Sequence, residues 1–157
     1  VASDTTVAVG AWTFVAVTIN GTTTNGVKFY VNGSVEGQTF TFSDTAVATW
    51  DDAVVGDMYA NSGTSAHTFR GSIDQVGVWN DVLTATEITA LYNGGYASRY
   101  DANHGNYASS ANLQGWWKMG DADSGTGSTI TDSSSNSNHL TLTNGAIIHN
   151  AHAPSKF

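Results

Sequence analysis

Two short runs of β-branched and aromatic residues each end at an Asn-Gly pair, and that pattern limits the fold more than any other feature. The first, Trp12-Thr-Phe-Val-Ala-Val-Thr-Ile19, stops at Asn20-Gly21, and the second, Val27-Lys-Phe-Tyr-Val31, stops at Asn32-Gly33. Val, Ile, Thr and aromatic side chains suit a pleated, half-buried surface. Asn-Gly supplies the positive φ angles that a two-residue hairpin turn requires. The runs are therefore predicted as successive antiparallel strands closed by tight turns. Both turns also match the N-x-S/T glycosylation pattern, at Asn20-Gly-Thr22 and Asn32-Gly-Ser34, but turn chemistry already explains these residues.

Further strands are expected at 38–42, 53–56, 68–79, 113–119, 129–131 and 140–143, the last followed by another Asn-Gly turn at Asn144-Gly145. One helix interrupts them. Thr84-Ala-Thr-Glu87 fits a capping box, Ile88, Leu91 and Tyr92 recur at helical spacing, and Gly94-Gly95 supplies the stop. The chain then divides into 1–96 (strands and helix), 97–112 (an Asn-, Ser-, Tyr- and Gly-rich linker or long loop), 113–148 (a second set of strands) and 149–157 (a tail). Trp12, Trp79 and one of Trp116 and Trp117 fall in strand patterns and are expected in the core.

Charge narrows the function classes. The formal net charge is −8 with five Lys and Arg in total. No basic stripe is available to neutralise phosphates, so nucleic acid is not an expected partner. An acidic surface favours cations such as calcium instead. Without cysteine, neither disulfides nor thiolate chemistry can contribute. No apolar run approaches the ~18 residues of a membrane span. The chain opens at Val1 with neither Met nor a signal-peptide pattern, so a processed or cropped piece is expected.

These segments resemble a known family, the laminin-G-like jelly rolls related to concanavalin A. Trp12-Thr-Phe-Val-Ala-Val-Thr resembles one family strand, and Val27-Lys-Phe-Tyr-Val-Asn-Gly33 resembles the next strand and its turn. Phe69-Arg-Gly-Ser-Ile-Asp-Gln-Val-Gly-Val-Trp-Asn80, followed by Leu83-Thr-Ala-Thr-Glu-Ile88, resembles the closing strand and helix. Residues 113–119, the Asp132-Ser-Ser-Ser-Asn-Ser-Asn138 run and 140–145 are similar to the family's opening, with Ser135 at the usual Gly. The resemblance implies an all-β, antiparallel jelly-roll sandwich with one short helix. Its motif order is unusual, closing strands first and opening strands last. Either two partial modules adjoin, or the late strands extend the first block. Such a sandwich is incomplete, rearranged or completed by a neighbouring chain. The Trp-Trp-x-Met-Gly-Asp segment also resembles, more loosely, laminin-G-like proteins of marine bacteriophages.

The same jelly roll carries glycosidases, which set two Glu with an Asp between them on one strand. This chain has only Glu36 and Glu87, some fifty residues apart, and Asp51-Asp52 would point to opposite faces of a strand. His149 and His152, three apart near the end, are weak evidence for metal. No catalytic residue is expected. If strand alternation runs through 69–79, Asp74 lies beside Val76 and Val78 on an apolar side and needs a partner there. The family resemblance implies a structural Ca2+ held by Asp74 with Asp121 and Asp132. The alternative is that Asp74 accepts backbone N–H bonds at a bend. Trp50, Tyr59 and His67, in or near polar loops, are the candidate ligand-binding residues. The expected role is a non-catalytic structural or recognition module on a virion or extracellular surface. Its expected partners are protein neighbours or a surface glycan. A free lectin-like domain, or the non-catalytic part of a secreted glycosidase, is the alternative.

Overall fold

The structure, a computed structural model, describes residues 4–21, 23–41, 54–56, 69–121, 123 and 127–143. Three antiparallel sheets form among them. The first holds β1 (Val15–Ile19), β2 (Val27–Val31) and β3 (Ser34–Phe40) in that order. The second pairs β4 (Val76–Trp79) with β5 (Leu113–Trp117), and the third pairs β6 (Thr129–Ile130) with β7 (Leu140–Thr141). No helix among the described residues is long and apolar enough to cross a membrane.

The two Asn-Gly pairs behave differently. Asn32 and Gly33 take φ of 49° and 77° and join β2 to β3 as a two-residue turn of the expected kind. Thr89 Oγ1 donates to Gly33 O (2.9 Å), and a Cβ at Gly33 would meet the Tyr92 ring at 2.8 Å, so the turn also seats the helix. Asn20-Gly21 instead opens a longer loop over 20–26. There Asn20 N donates to Gly26 O (2.9 Å), and the bonds Thr23 N to Asn20 O and Gly26 N to Thr23 O make two linked turns. A positive-φ dipeptide permits a two-residue turn without dictating one.

The helix α1 (Ala85–Tyr92) has the expected N-terminus. Thr84 Oγ1 accepts from Glu87 N, Thr84 N donates to Glu87 Oε2 (2.9 Å), and Asn93 ends the helix at φ 48°. The long strand expected over 68–79 is shortened to β4. Gln75 sits at φ 54°, which breaks the two-residue alternation ahead of Val76. Of the strand expected at 53–56, Val55 and Gly56 form a bend and Val54 lies in no strand.

One core joins early and late parts of the chain. Tyr30, Leu83, Ile88 and Leu91 pack with Tyr100, Tyr107, Leu113 and Trp116, and Phe14, Ala16, Trp79 and Ala90 lie against them. Residues 97–112, expected as a linker or long loop, therefore supply two buried tyrosines. The register Val76↔Trp117, Gly77↔Trp116, Val78↔Gly115 fastens the late strand to the first block. Trp116 and Trp117 are both buried, whereas Trp12, expected in the core, is 39% exposed just outside β1.

Candidate functional site

The β1–β2–β3 sheet has two unlike faces. Register pairs Ala16↔Tyr30 and Thr18↔Lys28 lie on the side where Tyr30 and Thr18 are buried. The other side is apolar across β1 and β2, with Val15↔Val31, Val17↔Phe29 and Ile19↔Val27; on β3 Phe40 extends it opposite Val27, and Ser34 lies opposite Val31. Phe29 and Phe40 meet edge to face at 5.8 Å. On β2 this side is covered, with Val27 and Val31 buried. On β1 it is open, with Val15 62%, Val17 52% and Ile19 50% exposed.

A cleft of about 430 Å³ lies where the 20–26 loop meets the approach to α1. It is lined by Thr18, Asn20, Thr23, Thr24, Asn25, Gly26, Lys28 and Tyr30 of the sheet and its loop, together with residues 82–85. This lining carries both donors and acceptors and a single cation.

The aspartates named from the sequence do different things. Asp132 is 5% exposed, yet its carboxylate is satisfied four times. Oδ1 accepts from Trp116 N and Ser134 N, and Oδ2 from Ser134 Oγ and Asn138 N, each at 2.8 Å. Burial alone would raise its pKa, but these four donors outweigh it and hold the group below its usual value. Asp74 Oδ1 accepts from Gln75 N (2.8 Å) at the bend where Gln75 turns left-handed, so it does not share a strand face with Val76 and Val78. Asp121 lies exposed in the turn after β5, with its N–H on Lys118 O. No group of three His, Cys, Asp or Glu side chains able to hold a metal ion forms among the described residues. A Ca2+ ion needs oxygens free to coordinate, and those of Asp132 face N–H and O–H donors. The expected Asp74, Asp121 and Asp132 set does not fit that ion.

The glutamates are held separately. Buried Glu87 accepts from Thr84 N and Oγ1, Ala108 N and Ser109 Oγ. Burial raises its pKa, and the bonds from Ser109, Thr84 and Ala108 outweigh that and keep it ionised below its usual value. Glu36 accepts from Thr5 N (2.8 Å) and Thr5 Oγ1 (2.9 Å) on β3. Ser98 Oγ lies 3.1 Å from His104 Nε2, but the same nitrogen is 2.8 Å from Arg99 O. A carbonyl accepts only, so Nε2 carries the proton and is no base for Ser98.

Residues that sequence reasoning passed over organise the interior. Trp79 Nε1 donates to Tyr107 Oη (2.8 Å), Tyr107 Oη to Tyr100 O (2.8 Å), and Tyr100 Oη to Gln75 O (3.3 Å). Trp116 Nε1 donates to Gln75 Oε1 (3.0 Å). Burial, and then the charge of Asp74, pushes the Tyr100 phenol well above its usual pKa. The Tyr-x6-Tyr spacing in a polar stretch was the available signal, masked by its loop composition. Trp50, Tyr59 and His67, with Asp51-Asp52, His149 and His152, lie outside the described residues.

A family model described as the Concanavalin A-like lectin/glucanases superfamily, of the laminin-G type, matches residues 1–89, more than half of the chain. No curated protein and no solved structure matches. The antiparallel sheets and the one α-helix among the described residues are those of the expected all-β jelly-roll sandwich.

Proposed function

The chain belongs to the concanavalin A-like lectin and glucanase superfamily, and from that premise we propose that it is a non-catalytic structural module held among protein neighbours in a virion or extracellular assembly. The observation that carries this reading is the half-exposed apolar side of β1, formed by Val15, Val17 and Ile19. A sheet face this apolar loses free energy in water, about 25 cal/mol per Å² left uncovered, and a protein surface is its natural cover. The likeness of the Trp116–Asp121 segment to laminin-G-like phage proteins favours a virion. Each glutamate is occupied by its own donors, which favours a role without catalysis.

Light scattering at increasing protein concentration tests the proposal. The native mass is expected to rise above 16.4 kDa, and the pair Val17→Thr and Ile19→Thr is expected to return it to the single-chain value. A wild-type chain that stays at that mass at ~1 mM and binds no hydrophobic dye overturns it.

The cleft beside the 20–26 loop favours a second reading, a lectin-like module. Threonine hydroxyls, asparagine amides and a tyrosine suit the alternating donors and acceptors of a sugar. A glycan array decides it: hits abolished by Lys28→Ala support the cleft, and an array without hits removes the reading.

A further inference from the structure

Five Asn-Gly pairs occur in the sequence, and four lie among the described residues: Asn20-Gly21, Asn25-Gly26, Asn32-Gly33 and Asn93-Gly94. In such a pair the glycine nitrogen can attack the Asn side-chain carbonyl carbon, because no Cβ stands in the way. The fold holds three of the four back. At Asn25-Gly26 the attacking atom is engaged, since Gly26 N donates to Thr23 O (2.8 Å), and Gly26 is buried. At Asn32-Gly33 the target is engaged: Asn32 Oδ1 accepts from Phe14 N (3.1 Å), and Gly33 is buried against the Tyr92 ring. At Asn93-Gly94 the leaving nitrogen is engaged, with Asn93 Nδ2 donating to Ala97 O (3.3 Å). Asn20-Gly21 differs on every count. Both residues are exposed, and a Cβ at Gly21 would meet nothing within 4 Å. No hydrogen bond among the described residues engages the Asn20 carboxamide or Gly21 N. The bonds that Asn20 makes, to Gly26 O and from Thr23 N, are those of its backbone.

We propose that Asn20 is a site of spontaneous deamidation, which converts a neutral part of the cleft wall into a carboxylate. Gly21 N attacks Asn20 Cγ, Nδ2 leaves as ammonia with the proton that Gly21 N gives up, and a cyclic succinimide closes. Water then opens the ring. Attack at Cγ gives an ordinary aspartyl residue at position 20, and attack at the main-chain carbonyl gives an isoaspartyl residue. Either product adds a negative charge to a lining whose cation is Lys28. The isoaspartyl form also reroutes the main chain through Cβ and Cγ. Asn20 O, which accepts from Thr23 N (3.2 Å), then belongs to a pendant carboxylate. That bond and the one from Asn20 N to Gly26 O close the 20–26 loop, so the modification acts on the loop that walls the cleft. The chemistry needs only water, and it stands whether or not the cleft takes a sugar.

The test is incubation of the full chain at mildly alkaline pH, folded in buffer and unfolded in urea, followed by tryptic mapping with mass spectrometry. Cleavage after Lys28, Arg70 and Arg99 puts Asn20 and Asn25 in one peptide, told apart by fragment ions, and Asn32 and Asn93 in the next two. In the folded chain Asn20 is expected to convert at least ~10-fold faster than Asn25, Asn32 and Asn93, which must open locally before they react. In urea the four rates are expected to converge, since each Asn is followed by glycine. Asn20→Gln, whose longer side chain closes an imide slowly, is expected to remove the fast phase from peptide 1–28. A folded chain in which Asn20 converts no faster than the other three overturns the proposal. So does an equal lead for Asn20 in urea, because the sequence and not the fold would then select it. A fast phase that persists in Asn20→Gln belongs to Asn25 and overturns the assignment.

Discussion

Asp132 and Glu87 are buried carboxylates that stay charged because hydroxyl side chains and backbone N–H groups together donate to them. For Asp132 the donors come from β5 and from its own loop, so one side chain fixes both. Asp132→Ala leaves the N–H groups of Trp116, Ser134 and Asn138 without that acceptor, and is expected to cost about 3 kcal/mol. Chemical denaturation checks this, and the loss is expected to be the same in calcium and in EDTA. Acid sensitivity arises from the same bonds. Both groups have folded pKa values depressed below their ordinary ones, which lie near ~4. Their contribution is therefore fully present above the unfolded value and is lost as pH falls through the lower folded value. Urea midpoints are expected to fall as the pH drops below about 4, and less steeply in Asp132→Asn, which has one such group fewer. An identical slope in both proteins would remove Asp132 from the acid response.

Two of the three tryptophans of β4 and β5, Trp79 and Trp117, lie over a glycine two residues earlier on their own strands. A Cβ at Gly77 would meet Trp79 Cζ3 at 2.8 Å, and one at Gly115 would meet Trp117 Cζ2 at 2.7 Å. Gly115→Ala must push the indole off its seat and away from Asn138 O, to which Trp117 Nε1 donates, at an expected cost of about 2 kcal/mol. Near-ultraviolet circular dichroism and a thermal melt check both parts, and an unshifted melt refutes the seat. These seats were hidden in the sequence, because a glycine in a strand reads only as a weak position. What was legible depended on local chemistry. The capping box at Thr84 and the Asn32-Gly33 turn are decided within four residues, and both formed as expected. Non-local packing was less legible: Gln75 turns left-handed where Trp116 and Tyr100 bond it, and that shortened β4 and moved Asp74 off the apolar side. Trp12 carries the strand pattern yet lies ahead of β1, partly in water. The site is legible only in part: the sequence marks Asp132, but not the bonds it accepts from Trp116, Ser134 and Asn138.

At the scale of the whole molecule, the two sets of strands separated by 97–112 depend on each other. Of the eight residues in the central cluster, Tyr30, Leu83, Ile88 and Leu91 come from the first block, and Tyr100, Tyr107, Leu113 and Trp116 from the chain after residue 96. The dependence is polar as well as apolar. Glu87 in α1 is held by Ala108 and Ser109, and Gln75 by Tyr100 and Trp116. A chain ended at residue 96 would keep the family's closing strands and helix. It would lose half of the cluster and the only partner β4 has among the described residues. Removing a single buried aromatic costs about 3–5 kcal/mol, and a domain is stable by only about 5–15 kcal/mol. The loss of three aromatics and a leucine therefore exceeds what the first block can bear. Fragment 1–96 is expected to show no cooperative thermal transition, while 1–143 keeps one. Adding 97–143 as a separate fragment is expected to restore the transition, since the contacts between them are side-chain packing and strand pairing that need no covalent link. A cooperative melt for 1–96 alone would show that the first block folds without the late strands, and the shared core would then be an appended one.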